Sequence, residues 1–338
     1  MNSSGRWQVE LGVALSAVRA ASALCRQVAA RGGTQAISKD DRSPVTVADL
    51  GSQALICAHL RAALPHDAIV AEEDAGLLLL PTHAALRDEV VGLVGARLPD
   101  RRLDGEGLCA LLQQGRARSY SPRFWTLDPI DGTKGFLRGG QYAVALALVV
   151  EGQVELAVLG CPNMHAPGAA GGAPAAGHDG GAGTLFYALR GDGAWGTALD
   201  GDGGAATRLH VSDRRDPTQA RICESVEAAH SAHGEAASVA TRLGVTAPPV
   251  RMDSQAKYAA VALGAADVYL RLPTRADYRE KIWDHAAGLL IVREAGGQVT
   301  DVTGRPLDFR CGAALTENRG VIATNGHLHA DVLRALSA

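Results

Sequence analysis

Asp128-Pro129-Ile130-Asp131-Gly132-Thr133 sets two carboxylates three residues apart around a proline, with a glycine and a hydroxyl directly after them. Carboxylates held this close repel each other unless cations lie between them. The flanks, Phe124 to Leu127 and Tyr142 to Val150, are apolar. The run therefore reads as a buried, charged, rigid turn, which is costly unless a metal is bound there. Hard divalent cations take oxygen ligands, and the candidates are Asp49, Glu72, Asp128, the Ile130 carbonyl, Asp131 and Asp284. Taken singly, Asp49 and Asp284 also read as helix caps and Glu72 as a solvated strand end. Capping does not account for two acids at 128 and 131, so a metal site is the better explanation, and it draws in the other acids.

Two Mg²⁺ ions about 4 Å apart hold an attacking water and a leaving oxygen at once. Phosphoryl transfer suits such a site, because its transition state needs positioning and charge neutralisation more than covalent help. Gly132 lets a phosphate approach the backbone, where the N–H groups after Asp131 can cradle it. Thr133 can hydrogen-bond the nucleophilic water, and Asp49 or Glu72 can take its proton.

The elements that must position these residues follow from the pattern. Val9, Val13, Val18, Ala21, Leu24 and Val28 recur at helical spacing and predict a helix over Val9 to Ala30. Ser43-Pro44-Val45-Thr46 breaks it, and Asp49 opens a second helix over Leu50 to Ala63. Ala68 to Ala71 reads as a short buried strand ending in Glu72-Glu73-Asp74. Helices are predicted over His83 to Val94 and Gly105 to Gln113. Tyr142 to Val150 and Val154 to Gly160, separated by Glu151-Gly152-Gln153, form a hairpin. Ala166 to Gly183 is nearly all Gly, Ala and Pro and reads as a flexible surface loop. The domain boundary is placed just before it, giving 1–163 and 164–338.

Beyond the loop, strands are predicted over Thr184 to Leu189, Arg208 to Val211, Arg221 to Glu224, Ala266 to Leu270, Gln298 to Val302 and Val321 to Ala323. Helices are predicted over Glu235 to Leu243, Ser254 to Leu263, Asp284 to Glu294 and His327 to Leu336, with Ala295-Gly296-Gly297 as a C-terminal stop. This alternation describes an α/β second half. Gly191 to Gly196 matches GxGxxG but precedes a Gly- and Asp-rich stretch instead of a helix, so it reads as a hairpin turn. His327 and His329 read as solvated residues on different sides of the last helix.

Of the 338 residues, 47% are apolar and 20% charged, as in a soluble globular chain. Aromatics are only 4%, so Ala, Val and Leu must build the core. A net charge of −3 provides no global basic field for nucleic acid or a membrane surface. A small anionic substrate then needs a local cationic site. Cys25, Cys57, Cys109, Cys161, Cys223 and Cys311 are scattered without a CxxC pair, which argues against zinc and for reduced, buried thiols. No segment reaches the roughly 18 to 20 uninterrupted apolar residues of a membrane span. Met1 to Trp7 carry no signal-peptide pattern. Both points favour the cytoplasm, with a chloroplast or mitochondrion as the alternative where a presequence has been removed.

Glu72-Glu73-Asp74, the run from Asp128 to Thr133, and Trp283-Asp284-His285-Ala286-Ala287-Gly288 together resemble the lithium-sensitive, Mg²⁺-dependent phosphomonoesterase superfamily that includes inositol monophosphatase and fructose-1,6-bisphosphatase. Within it the chain looks most like the 3′(2′),5′-bisphosphate nucleotidases of plants and fungi. Ser43 to Asp49, Gly132 to Gly139, Asp253 to Tyr258, Tyr269 to Pro273 and Tyr278 to Asp284 carry that likeness, which spans nearly the whole chain. The resemblance implies a layered αβαβα sandwich, with an α+β N-terminal domain, an α/β C-terminal domain and the site in the cleft between them. It implies metal ligation by Glu72, Asp128, the Ile130 carbonyl, Asp131 and Asp284, with two or three Mg²⁺ ions. It places Asp49 and Thr133 at the nucleophilic water, and Gly132, Thr133, His230, Ser254, Lys257 and Arg271 at the substrate. Lys257 and Arg271 suit a second phosphate, which needs fixed cations. Ala228-Ala229 stand before His230 where relatives usually carry glycine.

The expected reaction is hydrolysis of the 3′-phosphate of adenosine 3′,5′-bisphosphate to AMP, with 3′-phosphoadenylyl sulfate as a second substrate. An inositol polyphosphate 1-phosphatase uses the same acids, and a non-catalytic bisphosphate sensor or a metal-stabilised structural domain are the readings from other classes. The Ser254 to Lys257 and Tyr269 to Pro273 segments favour a nucleotide over an inositol. Thr133 and the intact acids favour an enzyme over a sensor. A monomer is expected, with a dimer as the alternative.

Overall fold

The structure, a computed structural model, describes all residues except 1–4, 33–35, 39–43, 100–101, 165–182, 202–204, 228–231, 276 and 338. The Gly/Ala-rich stretch and His230 therefore lie outside the described residues.

The helices are α1 (Gln8–Ala30), α2 (Val47–Ala63), α3 (Gly76–Leu79), α4 (Ala84–Gly95), α5 (Gly105–Gln113), α6 (Thr133–Leu137), α7 (His233–Arg242), α8 (Ala256–Ala262), α9 (Ala286–Glu294) and α10 (His329–Ser337). A short antiparallel pair, β1 (Ile37–Ser38) and β2 (Pro44–Val45), precedes α2. The first large sheet runs in chain order through β3 (Ala68–Ala71), β4 (Arg123–Asp131), β5 (Ala143–Val150), β6 (Gln153–Cys161), β7 (Thr184–Leu189), β8 (Gly193–Ala198) and β9 (Thr207–Arg208). Only β3 and β4 are parallel in it. The second sheet holds β10 (Ile222–Glu224), β11 (Val250–Arg251), β12 (Val268–Arg271), β13 (Gln298–Thr300) and β14 (Val321–Thr324), in the order β11-β10-β12-β14-β13.

The first sheet is covered on both faces, and its strands are written accordingly. On β5, Val144, Leu146 and Leu148 face the core shared with α1 and α2, while Ala143, Ala145 and Ala147 face the core shared with α8 and α9. Side chains alternate across a strand, so one eight-residue strand fits branched residues to one layer and alanines to the other. The alanine face lets α9 approach closely. α8 and α9 also contact the second sheet, whose far face packs on α7 and α10. The layers are helix, sheet, helix, sheet, helix, as expected.

β6 and β7 are neighbours paired from Leu156–Leu189 to Cys161–Thr184, so the first sheet runs through the 163/164 position. The two sheets part between Arg208 and Ile222. The GxGxxG run supplies the β7–β8 turn. All six cysteines are unpaired and five are buried.

Two sequence expectations change. By length and composition α1 is apolar enough to cross a membrane, although less than half of its most apolar window is buried in the fold. Alanines, not an unbroken run of large apolar residues, give it that character, and its stripe from Ala14 to Val28 packs on α2 and the first sheet. His329 is buried, not solvated: its ring nitrogens meet Thr300 Oγ1 at 2.9 Å and Thr324 Oγ1 at 3.0 Å. Burial pulls its pKa down to about 4.

Candidate active site and metal centre

The two acids at 128 and 131 sit at the end of a strand instead of in a free turn. Asp128 pairs with Ala145 and Asp131 with Ala143, so β4 spends three steps where β5 spends two. This bulge absorbs Pro129, which has no N–H to give the ladder. The Ile130 N–H turns back to Asp128 Oδ1 at 3.1 Å, and Ser52 Oγ holds the Pro129 carbonyl at 2.8 Å. Gly132 follows with φ +85°, and a Cβ there would stand 3.0 Å from Ser254 Cβ. The left-handed φ favours glycine, and the close approach of Ser254 adds to that preference.

α2 supports this run with polar residues at helical spacing. Asp49, Ser52 and Gln53 are all buried, at i, i+3 and i+4 on one face. Thr46 is the N-cap, and Asp49 Oδ2 accepts from Thr46 N at 2.8 Å and Thr46 Oγ1 at 2.6 Å. Asp49 is thus the cap partner that its position suggested. Its other oxygen accepts from Thr133 Oγ1 at 3.1 Å, and that hydroxyl also lies 3.2 Å from the Ile130 carbonyl. Gln53 pairs with both the N–H and the carbonyl of Glu73, at 2.9 and 2.6 Å, and so fixes the strand end that carries Glu72.

One cavity of about 850 Å³ brings the parts together, lined among others by Glu72, Asp128, Asp131, Asp284, Lys257 and Arg271. Gly132, Thr133, Ile130 and Ser254 also line it, whereas Asp49 does not. Asp49 meets the cavity lining at Thr133. Burial, reinforced by Glu72, Asp131 and Asp284, holds the Asp128 carboxyl well above the usual range. Asp284 is raised by burial and by Asp131, with Arg271 opposing. Asp131 is raised by burial, against Lys257 and the Gln255 N–H, which donates to it at 2.7 Å. Carboxyls that resist ionisation together, all offering hard oxygen, are what a divalent cation would satisfy.

The same lining carries two buried cations, Lys257 and Arg271. Lys257 is buried, donates to the Met252 carbonyl at 3.1 Å and lies 5.3 Å from the Tyr269 ring centre. Burial lowers its pKa to about 8, with Asp131 opposing. Arg271 Nη2 lies 3.1 Å from Glu280 Oε2 and 4.0 Å from Asp284 Oδ2. Burial alone would raise the Glu280 carboxyl, but Arg271 and His285 outweigh it and bring it down to about 2. Glu280, Asp284 and His285 offer ligand atoms within 4.8 Å of one another. Of these, Glu280 is engaged by Arg271, and His285 by Glu280 and Tyr258. That leaves Asp284 as the member suited to the ion.

A profile of the inositol monophosphatase family matches residues 7–338. The chain belongs to the inositol monophosphatase family. Family members use Mg²⁺, in keeping with the acidic wall. A 3′(2′),5′-bisphosphate nucleotidase of Emericella nidulans is 45% identical, over 98% of both chains. A protein of the same name from Oryza sativa is 44% identical over 98% of this chain and 94% of its own. In fold, the extragenic suppressor protein suhB of Bartonella henselae superposes with a TM-score of 0.64 over 96% of this chain and 97% of its own, at 24% identity.

Several supporting residues carried no role in the sequence reading. Gln255 Nε2 donates to the Trp283 carbonyl at 2.9 Å and its Oε1 accepts from the Gly288 N–H at 3.1 Å. It thereby clamps the family's Trp-Asp segment to the loop that holds Asp131. A Cβ on Gly288 would stand 2.2 Å from the Tyr258 ring. The available signal was weak, because Gln255 stands between other polar residues, Ser254 and Lys257, at the start of the predicted helix.

Proposed function

We propose that the protein is a Mg²⁺-dependent phosphomonoesterase that hydrolyses the 3′-phosphate of adenosine 3′,5′-bisphosphate to AMP and phosphate, with 3′-phosphoadenylyl sulfate as a second substrate. The observation that carries this reading is one cavity lined both by the acids Glu72, Asp128, Asp131 and Asp284 and by the buried cations Lys257 and Arg271. A substrate with two phosphates matches both: one against the acids and their cations, the other against Lys257 and Arg271. The names of the relatives at 44–45% identity support the same substrate class.

Glu72, Asp128, the Ile130 carbonyl, Asp131 and Asp284 would hold two or three Mg²⁺ ions. Bound there, magnesium supplies positive charge to the phosphate oxygens and acidifies water. The protein's own groups do the rest. Asp49 Oδ2 is committed to Thr46 and its Oδ1 to Thr133. With its proton on Asp49, the Thr133 hydroxyl presents lone pairs to a water and aims it at phosphorus. The water's proton passes through Thr133 to Asp49, or directly to Glu72 at the cavity wall. The N-terminus of α6 and Gly132 present backbone N–H groups to the phosphate. Ser254 and His230 complete the nucleotide contacts in this reading. The enzyme acts in the cytoplasm, on a small molecule, as a monomer.

Phosphate release is measured from adenosine 3′,5′-bisphosphate, inositol 1,4-bisphosphate, inositol 1-phosphate and fructose 1,6-bisphosphate, with Mg²⁺ and with added Li⁺. The nucleotide is expected to be preferred and Li⁺ to inhibit. Preference for an inositol or sugar phosphate refutes the substrate assignment.

A further inference from the structure

Arg271 has a stronger pull available than a substrate. Its Nη2 stands 4.0 Å from Asp284 Oδ2, and Asp284 belongs to the acidic wall. An unrestrained guanidinium at this distance would close onto that carboxylate, which would spoil a metal ligand and remove a cation from the substrate at once.

Glu280 prevents this closure. It is 4% exposed and lies in the segment between β12 and α9. Its Oε1 accepts from Arg271 Nε at 3.2 Å and its Oε2 lies 3.1 Å from Nη2. The two oxygens thus take one edge of the guanidinium as a fork and fix its plane. Nη1, on the other edge, keeps its donors for other partners. Tyr278 also lines the cavity.

Glu280 is itself anchored. Its Oε2 lies 3.2 Å from His285 Nε2, and His285 Nδ1 lies 2.7 Å from Tyr258 Oη. If Tyr258 donates to Nδ1, then Nε2–H donates to Glu280, and each group in the chain has one consistent role. His285 and Tyr258 are buried, with their ring centres 6.1 Å apart. Glu280 is further held through its backbone, whose carbonyl accepts from the Leu315 N–H at 2.9 Å.

We infer that Glu280 is a positioning residue that aims Arg271 at the second phosphate of the substrate and holds it off Asp284, and so sets the preference for a bisphosphate over a monophosphate. This rests on the proposed bisphosphate nucleotidase activity. A plain buried ion pair would serve stability alone and would leave substrate preference untouched.

The test compares KM and kcat for adenosine 3′,5′-bisphosphate and for 3′-AMP, which lacks the second phosphate, in the Mg²⁺-loaded full chain. Wild type is expected to prefer the bisphosphate. In Glu280→Gln the ratio of the two KM values is expected to move about tenfold toward the monophosphate, the scale of losing a partner that orients a charged ligand group. Tyr258→Phe keeps the ring packing and is expected to move the ratio in the same direction by less. It also serves if Glu280→Gln does not fold, as judged by its thermal transition. An unchanged ratio, or equal losses on both substrates, overturns the positioning role. A wild type indifferent to the second phosphate removes the bisphosphatase reading and this inference with it.

Discussion

Asp128 shows how a single residue can be unfavourable for the fold and suited to the proposed metal site. It is buried beside Glu72, Asp131 and Asp284, and its carboxyl is held well above the usual range by burial first and by those neighbours second. The sign of the linkage follows. The unfolded chain releases this proton in the ordinary carboxylate range, while the folded, metal-free chain releases it only at higher pH. Metal-free stability therefore falls as pH rises from that ordinary range through the folded value. Asp128→Asn keeps the oxygen that accepts from the Ile130 N–H and removes the charge. In chelator at neutral pH this variant is expected to melt higher than wild type, with a flatter dependence on pH, and to lose at least about 100-fold in turnover with Mg²⁺. Thermal melts from pH 5 to 8 with and without chelator check this, and a variant that melts lower in chelator at every pH would show that no repulsion was relieved. Asp128 and Asp131 were legible in the sequence because charge amid apolar residues has few explanations. Ser52, Gln53 and Gln255 were not, because a neutral polar residue has many innocuous places to be.

At the scale of elements, the hairpin of β5 and β6 and the helices α1, α4, α5 and α9 follow from periodicity within a residue or two. The ends that matter most for the site were harder to place. α2 begins at Val47, before Asp49, because Thr46 and Asp49 form a reciprocal capping box. The run from Asp128 reads locally as a turn, since proline and glycine dominate it, yet pairing with β5 keeps Arg123–Asp131 in the sheet with a bulge. Pairing partners distant in sequence override local propensity in this way. His329 was misjudged for a similar reason, because β13 and β14 close over it from elsewhere in the chain. The contact of α8 with α9 is tight enough to dictate a residue. Gly288 leaves room for the Tyr258 ring, and a methyl group there would meet ring atoms at 2.2 and 2.3 Å. Gly288→Ala is expected to cost about 1–3 kcal/mol despite the better helix propensity of alanine. It should also displace Gln255, whose Oε1 accepts from the Gly288 N–H. Denaturant unfolding at fixed Mg²⁺ measures the cost, and a variant as stable as wild type would mean that the two helices separate freely.

At the scale of the whole molecule, the acidic wall is assembled from both layers of the sandwich. Glu72, Asp128 and Asp131 come from the ends of β3 and β4 in the first sheet, while Asp284 comes from the approach to α9, the helix wedged between the sheets. In the proposed site, metal shared between Asp284 and the acids of the first sheet would tie α9 to that sheet. Binding only to the folded form stabilises it by about 2.7 kcal/mol at one hundred times the dissociation constant. Losing one protein ligand weakens a metal site by roughly one to two orders of magnitude, or about 1.4–2.7 kcal/mol. Mg²⁺ is therefore expected to raise the melting temperature of wild type by several degrees. In Asp284→Asn that rise should shrink to a small fraction at the same concentration, although the three acids of the first sheet are intact. Melting curves across a Mg²⁺ titration read both quantities directly. Identical Mg²⁺-induced shifts in wild type and Asp284→Asn would mean that the ion is held by the first sheet alone, and that the cleft between the sheets is closed by protein contacts without it.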